Sequence, residues 1–518
     1  MTDHILDISF PIPTHDEWVT RAEKALKGVS LEKLTRLSRD GIAIHPLYAP
    51  GDKPALATRP GGVAWKVVQK IDQGDASEAN AQALEDLENG ATGLCLAMPH
   101  MDGPIIERAL KDVQLHAIHL RLESHADVSD SLIRLCEARA INPERLDIAL
   151  SLPDAKIAKA LRARDFAGGL LLADGRAYHN QGASEAQELG FALYDAIQHL
   201  RGLDGDVGAV HFALSAGPDM FMNIAKFRAI RLLWARVLDA CGIAQRPVHV
   251  HGETSYRHLS LTDQHVNMLR AVAGVFGAGL GGADSQVVLP FTHLKGEADG
   301  FARRMARNAQ IILLEESQLH AVGDPAAGSG YMESLTLQLA EKAWGFMQKA
   351  ETGADKQAFI AEAKAAQMAQ VAKRTLPITG TSEFPNLAEA LEQIDSMERL
   401  SSPFEALRLA AQKAKPTVQL INLGKLADHS ARSHWTQNLL AAGGIAVSEQ
   451  ASSVVILCGS DEAYAQEGAD AMKAAQAQGA KHIWLAGKYE LAGAKSFYAG
   501  MNMLEFLSTL HQELGVAQ

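Results

Sequence analysis

His249 and His251 share one strand face in PVHVHGE (247–253), and His258 follows them. Two imidazoles at i, i+2 could ligate a metal ion or line a polar cavity. Here they read as polar lining at the mouth of a barrel, with no metal. The four cysteines, Cys95, Cys136, Cys241 and Cys458, lie far apart and form no CxxC. They make neither a disulfide framework nor a zinc site, and they fit a reducing compartment. GAGLGG (277–282) concentrates glycine as phosphate loops do, but without the Lys-Ser/Thr that completes a P-loop. It reads as a turn of a barrel.

These side chains need a scaffold, and 518 residues are too many for one compact core, so two or more domains are expected. Hydrophobic residues make up 47% and charged residues 21%, an ordinary balance for a soluble globular chain. A formal charge of −12 argues against a nucleic-acid partner, which would require a basic stripe. No apolar run approaches the roughly 20 residues of a membrane span. The N-terminus also lacks the basic and apolar segments of a secretory signal. The expected address is the cytoplasm.

Residues 1–50 read as an arm. Trp18, Ala22, Ala25 and Leu26 pattern a short helix that Gly28 stops, and HPLYAP (45–50) continues as an extended turn. With Phe10, Pro11, Pro13 and Pro46, the arm has too little apolar sequence for a core of its own. From about residue 60, short apolar runs alternate with amphipathic windows. The runs are GLCLAMP (93–99), LHAIHLRL (115–122), LDIALSL (146–152), GGLLLAD (168–174), AVHFALS (209–215) and PVHVHGE. Most are apolar on both faces, as buried parallel strands must be. Six strand–helix units imply a parallel sheet, open or closed as a TIM barrel. Strands seven and eight are not located by pattern, although GVFGAGLGGADSQVVLP (274–290) should hold one of them. Residues 332–372 are helical, KRTLPITGTSEFPN (373–386) interrupts as a connector, and a further helix runs to about 413. A small doubly wound domain follows, with strands at TVQLINL (417–423), GIAVSE, SSVVILCG and KHIWLAG and a last helix near 500–514.

Five segments stand in order along this frame: MFMNIAKFRAIRLLWA (220–235), HGETSYRHLSLTDQHVNMLRA (251–271), RMARNAQIILLEES (304–317), DPAAGSGYME (324–333) and KRTLPITGTSEFPN followed by FEALR (404–408). Together they resemble the methylmalonyl-CoA mutase family, from about residue 10 to the end, and most of all its small subunit. The resemblance implies an N-terminal arm (1–50) and a (β/α)8 TIM-like barrel (51–345) that threads acyl-CoA along its axis. A helical linker (346–413) and a flavodoxin-like, cobalamin-type domain (414–518) would follow, and that last domain reads as degenerate.

Cobalamin-binding members of the family carry D-x-H-x-x-G just after the first strand of that domain; the His ligates cobalt and the Asp orients it. The matching segment here is LGKLADHSARSHW (423–435), and anchoring on Gly424 puts Leu426, Asp428 and Ala431 at the Asp, His and Gly positions. A slip of one or two residues recovers Asp428 or His429, never the whole motif. His429 and His434 read as surface histidines. Only QA separates GIAVSE from SSVVILCG, where a parallel crossover needs about ten residues, so a helix should be missing. CGSDE (458–462) replaces the family's Ser-x-Leu, and Lys488 in AGKYE (486–490) stands where a glycine lets the nucleotide tail pass. The resemblance therefore implies that this chain binds no cofactor, and that adenosylcobalamin belongs to a partner subunit. In the barrel, Tyr178 and His179 of GLLLADGRAYHNQGAS (169–184) match the family's Tyr-His pair, whose His is the acid near the thioester. Lys70 stands where an aromatic wedge should be, and SLPDAK (151–156) lacks a Gln-Asn pair. Tyr178 and His179 thus read as relics lining a partly filled barrel.

What the resemblance implies, then, is a non-catalytic small subunit paired 1:1 with a methylmalonyl-CoA mutase large subunit in propionate metabolism. The large subunit would interconvert methylmalonyl-CoA and succinyl-CoA, with acyl-CoA bound in the complex. Two alternatives stay open. One is a substrate-binding catalytic chain that takes cobalamin from a separate protein. The other is a regulatory module whose barrel still holds CoA.

Overall fold

A computed structural model describes residues 13–50, 58–124, 127–392 and 397–516; Phe10 and Pro11 of the arm lie outside the described residues. Thr14 and Glu17 close a capping box on the helix His15–Ala25, and none of that helix's residues is buried. Arg36–Leu37 and Ala43–Ile44 then pair antiparallel.

Eight parallel strands follow: β1 (Lys66–Ile71), β2 (Gly93–Leu96), β3 (His119–Leu122), β4 (Asp147–Leu150), β5 (Leu171–Asp174), β6 (Val210–Ala216), β7 (Val250–Thr254) and β8 (Ser285–Val287). Their order in the sheet is 4-3-2-1-8-7-6-5, and a bridge from Ala149 to Gly169 brings the two ends together. The fold is thus a (β/α)8 TIM-like barrel with helices outside. β2 and β6 are buried along their whole length, which is why their sequences are apolar on both faces. β8 falls within 274–290, where one of the two missing strands is expected, and β1 is the strand that hydrophobic patterning leaves unplaced. β1 carries Lys66, Gln69 and Lys70, and β8 has three residues.

GAGLGG is not a turn. Its first four residues close the helix Val266–Leu280, and Gly281 caps it. A Cβ on Gly274 would lie 2.6 Å from the Ala216 carbonyl, and one on Gly277 would lie 2.7 Å from that of Met220. These glycines let the helix press onto β6 and the helix Met220–Ala240.

Helices Gly330–Glu351 and Lys356–Ala372 lead into the segment 373–401, and then helix Ser402–Ala414. The second sheet consists of β9 (Thr417–Asn422), β10 (Ala446–Ser448), β11 (Val454–Cys458), β12 (His482–Ala486) and β13 (Lys495–Phe497), in the order 10-9-11-12-13. That is the flavodoxin-like arrangement. Gln419 of β9 pairs with Ser448 on one side and Val455 on the other, and no helix separates β10 from β11. Among the described residues, no helix is long and apolar enough to cross a membrane.

Candidate functional site

Polar side chains at a period of two on β3 and β7 (His119, Arg121 and Glu123; His249, His251 and Glu253) point to one face of each strand, the barrel interior. Glu253 Oε2 accepts from Lys70 Nζ and from Arg176 Nη1, each at 3.2 Å. Arg176 Nη2 also reaches Glu123 Oε2 at 3.0 Å and Asp174 Oδ2 at 2.8 Å. Arg121 donates to Glu123 Oε1 at 2.8 Å. Three cations therefore meet three carboxylates at the ends of β1, β3, β5 and β7, the alternate strands that share a layer in such barrels. Burial pushes Glu253 up, but Lys70 and then Arg176 overcome it and leave the carboxyl below its ordinary range. Burial also raises the Cys95 thiol, to about 12.

His249 and His251 lie deeper in the barrel than its mouth. His249 Nε2 and His251 Nδ1 share the Ser285 hydroxyl at 2.9 and 2.7 Å. His119 stacks on His249 with ring centres 5.0 Å apart and bonds Asp147 at 2.9 Å. Burial lowers His249 to about 3, and burial with Arg121 beside it holds His211 and His251 well below their ordinary value. Burial thus favours the neutral imidazole at His211, His249 and His251. No group of three or more His, Cys, Asp or Glu able to hold a metal occurs among the described residues.

Tyr178 and His179 occupy one short helix, Gly175–Gln181, capped by Asp174. Adjacent helical residues diverge by about 100°, and the pair separates accordingly. The Tyr178 hydroxyl leaves the barrel, donating to Asp195 at 2.8 Å and accepting from Lys356 at 2.7 Å. His179 turns inward and is buried. Its Nε2 is 2.7 Å from Ser255 Oγ, and Nδ1 lies 3.2 Å from Glu188 Oε2, off the hydrogen-bond direction but in electrostatic contact. Lys226 Nζ and the Ser215 N–H hold Glu188 at 2.8 and 2.7 Å. Ser255 Oγ also meets His258 Nδ1 at 2.9 Å. His179 and His258 line a cavity of about 780 Å³.

At the C-terminal edge of β9 and β11, the helix Leu426–Ala442 starts immediately where the family's motif would need a loop. Leu426 is 74% exposed, and Asp428 Oδ2 caps the helix by accepting from Lys425 N at 2.8 Å. His429, Ala431 and His434 all sit on this helix, with Ala431 and His434 exposed. Arg432 crosses the strand ends, donating to the Gly459 carbonyl at 2.6 Å and to Asp461 at 2.9 Å. Its guanidinium lies 5.4 Å from the Tyr464 ring centre, and a Cβ on Gly487 would meet its Cζ at 3.0 Å. The buried Tyr464 hydroxyl ties Gly459 N to Ala486 O. Lys488 Nζ rests 4.9 Å from the Tyr498 ring centre.

Glu188, Ser255, Arg176 and Arg432 are not among the residues that sequence reasoning singles out. Glu188 had a signal: a carboxylate inside AQELGFAL (186–193), where every neighbour is buried, needs a charged partner. The alternation in HLRLE (119–123) was the other.

A family model described as methylmalonyl-CoA mutase matches residues 171–463. The chain is 33% identical to the methylmalonyl-CoA mutase small subunit of Streptomyces virginiae, across 99% of this chain and 98% of that protein. It is 34% identical to a probable methylmalonyl-CoA mutase small subunit of Mycobacterium tuberculosis, across 96% and 95%. Against the small subunit of Propionibacterium freudenreichii subsp. shermanii it is 30% identical, across 98% and 96%.

Proposed function

The chain belongs to the methylmalonyl-CoA mutase family, and from that premise we propose that it is the non-catalytic small subunit of a heterodimeric mutase. The observation that carries this reading is the ion-paired layer on the barrel axis. A substrate arm passing along the axis would have to part Lys70, Glu253, Arg176 and Glu123. Breaking a buried pair by taking away one partner costs about 3–5 kcal/mol. That supports a closed barrel over the two alternatives, a substrate-binding catalytic chain and a CoA-binding module.

The second domain does not fit cobalamin. Among the described residues, the loop from β9 to the helix Leu426–Ala442 is Leu423-Gly424-Lys425 and holds no histidine, and Arg432 and Tyr464 fill the space at the strand ends with their own hydrogen bonds. No chemical step is therefore assigned to the cofactor on this chain; adenosylcobalamin and the interconversion of methylmalonyl-CoA and succinyl-CoA belong to the large subunit. The helix His15–Ala25, with no residue buried, supports an arm that packs on that partner. Two measurements test the proposal. The pure chain should retain no cobalamin absorbance through gel filtration, and it should form a 1:1 complex with a mutase large subunit. A chain that keeps the cofactor, or that turns over methylmalonyl-CoA alone, would overturn it.

A further inference from the structure

Glu188, His179, Ser255 and His258 form a line from the buried interior to the cavity. A bare imidazole lone pair facing the Glu188 carboxylate 3.2 Å away would be repelled, which favours the proton on His179 Nδ1 although that atom makes no hydrogen bond. His179 Nε2 then accepts from the Ser255 hydroxyl, which in turn accepts from His258 Nδ1–H. That leaves a lone pair on His258 Nε2 with no hydrogen-bond partner among the described residues, and His258 lines the cavity.

The cavity has cations to spare. Arg39 is spent on Glu185 and on the carbonyls of Gly182 and Ala183, and Lys226 on Glu188. Arg270 donates only to neutral acceptors, Ser260 Oγ, Asn267 Oδ1 and the Thr379 carbonyl, each at 2.7 Å. Arg36 is exposed at the rim, and its side chain makes no ion pair or hydrogen bond among the described residues. Asp219, also on the lining, caps a helix by accepting from Met222 N at 3.1 Å. Leu37, Phe221, Leu269 and Ile378 supply apolar wall. About 780 Å³ falls within the range of small-molecule sites, roughly 300–1,000 Å³.

An anion drawn in by Arg36 and Arg270 meets an acceptor at His258, and the two repel unless a proton comes too. The charged and titratable groups around His258 are Arg39 from the arm, His179 from the helix after β5, Arg257 beside it, and Arg270. Glu188 and Lys226 stand behind His179. Burial first, and then those cations, hold His258 well below the usual imidazole value, and an entering anion offsets the cations. We propose that this cavity binds a small organic anion with an apolar body, and that binding takes up a proton on His258. None of Lys70, Glu123, Arg176 and Glu253 lines this cavity.

The test is calorimetry on the full chain, alone and in its complex, with hexanoate and inorganic phosphate as probes in two buffers of different ionisation enthalpy. Hexanoate should bind with uptake of about one proton at neutral pH, and phosphate, without an apolar body, should bind at least about tenfold more weakly. His258→Gln should abolish the uptake. Arg36→Ala, an exposed change that leaves the fold intact, should weaken hexanoate about tenfold. Absence of hexanoate binding at millimolar concentration overturns the proposal. So does uptake that persists in His258→Gln, or an affinity that Arg36→Ala leaves unchanged.

Discussion

Replacing Glu253 by Gln should expose how much the barrel depends on its buried charges. Lys70 pairs with no other carboxylate among the described residues, whereas Arg176 keeps Asp174 and Glu123. The substitution therefore strands one cation. Removing a partner from a buried pair costs about 3–5 kcal/mol, and the 22% exposure of the Lys70 side chain moves the expected cost to the low end, about 3 kcal/mol. Lys70→Met leaves Glu253 bonded to Arg176 and should cost about 1 kcal/mol or less. The double variant has no stranded charge, so it should be more stable than Glu253→Gln alone, with a coupling of about 2 kcal/mol. Urea unfolding followed by circular dichroism at pH 7 measures each term. The pH dependence has a definite sign. Glu253 and Glu123 sit below their ordinary values in the fold, so their contribution is present above the unfolded carboxyl value, about 4.3, and fades as pH falls through the folded values. The deficit of Glu253→Gln should shrink in acid. Strictly additive single costs, or a Glu253→Gln protein as stable as the parent, would refute the reasoning.

Asp40 is raised to about 6 by burial and then by Glu185, so its stabilising contribution is complete below the unfolded value and is lost as pH rises through 6. Asp40→Asn should flatten the melting temperature between pH 4 and pH 7, a span worth about 2 kcal/mol; an unchanged slope counts against the assignment. A side chain on Gly330 would run into the Ala49 carbonyl, so Gly330→Val should loosen the arm and speed limited proteolysis before residue 50, with little change in barrel melting. Tyr464→Phe leaves the buried Gly459 N–H without its acceptor and should destabilise the second domain by about 1–3 kcal/mol in denaturant titration; loss below about 0.5 kcal/mol would mean that another acceptor takes over.

The strands that patterning finds are those buried by apolar contact on both sides, such as GLCLAMP and AVHFALS. β1 escapes patterning because its inner face is charged: the half-buried Lys70 pairs with Glu253, and an ion pair leaves no hydrophobic signature. β13, with three residues, is too short to announce itself. GAGLGG looked like a loop because glycine is penalised in helices, and only the closeness of Ala216 and Met220 explains why it is tolerated. In LHAIHLRL the first half forms a 3-10 turn and only His119–Leu122 enters the sheet. At the site, adjacency in sequence was misleading in the opposite sense. Tyr178 and His179 look like one unit, but the helical turn sends one to Asp195 and the other to Ser255.

The ring of the barrel is uneven. β4 and β5 are joined by the Ala149–Gly169 bridge and the few backbone hydrogen bonds around it, while β6 and β7 pair over five residues. Cutting the ring at that seam leaves two arcs, β1–β4 and β5–β8, in which every neighbour in space is also a neighbour in sequence. The one remaining join pairs Lys66 with Ser285 and closes a very long loop. Short-range pairings form fast and distant ones wait on loop closure. Each arc can therefore assemble as a unit, with ring closure as the late event. Amide hydrogens along β4 and the 168–170 segment should exchange through local opening, well before those of β6 and β7.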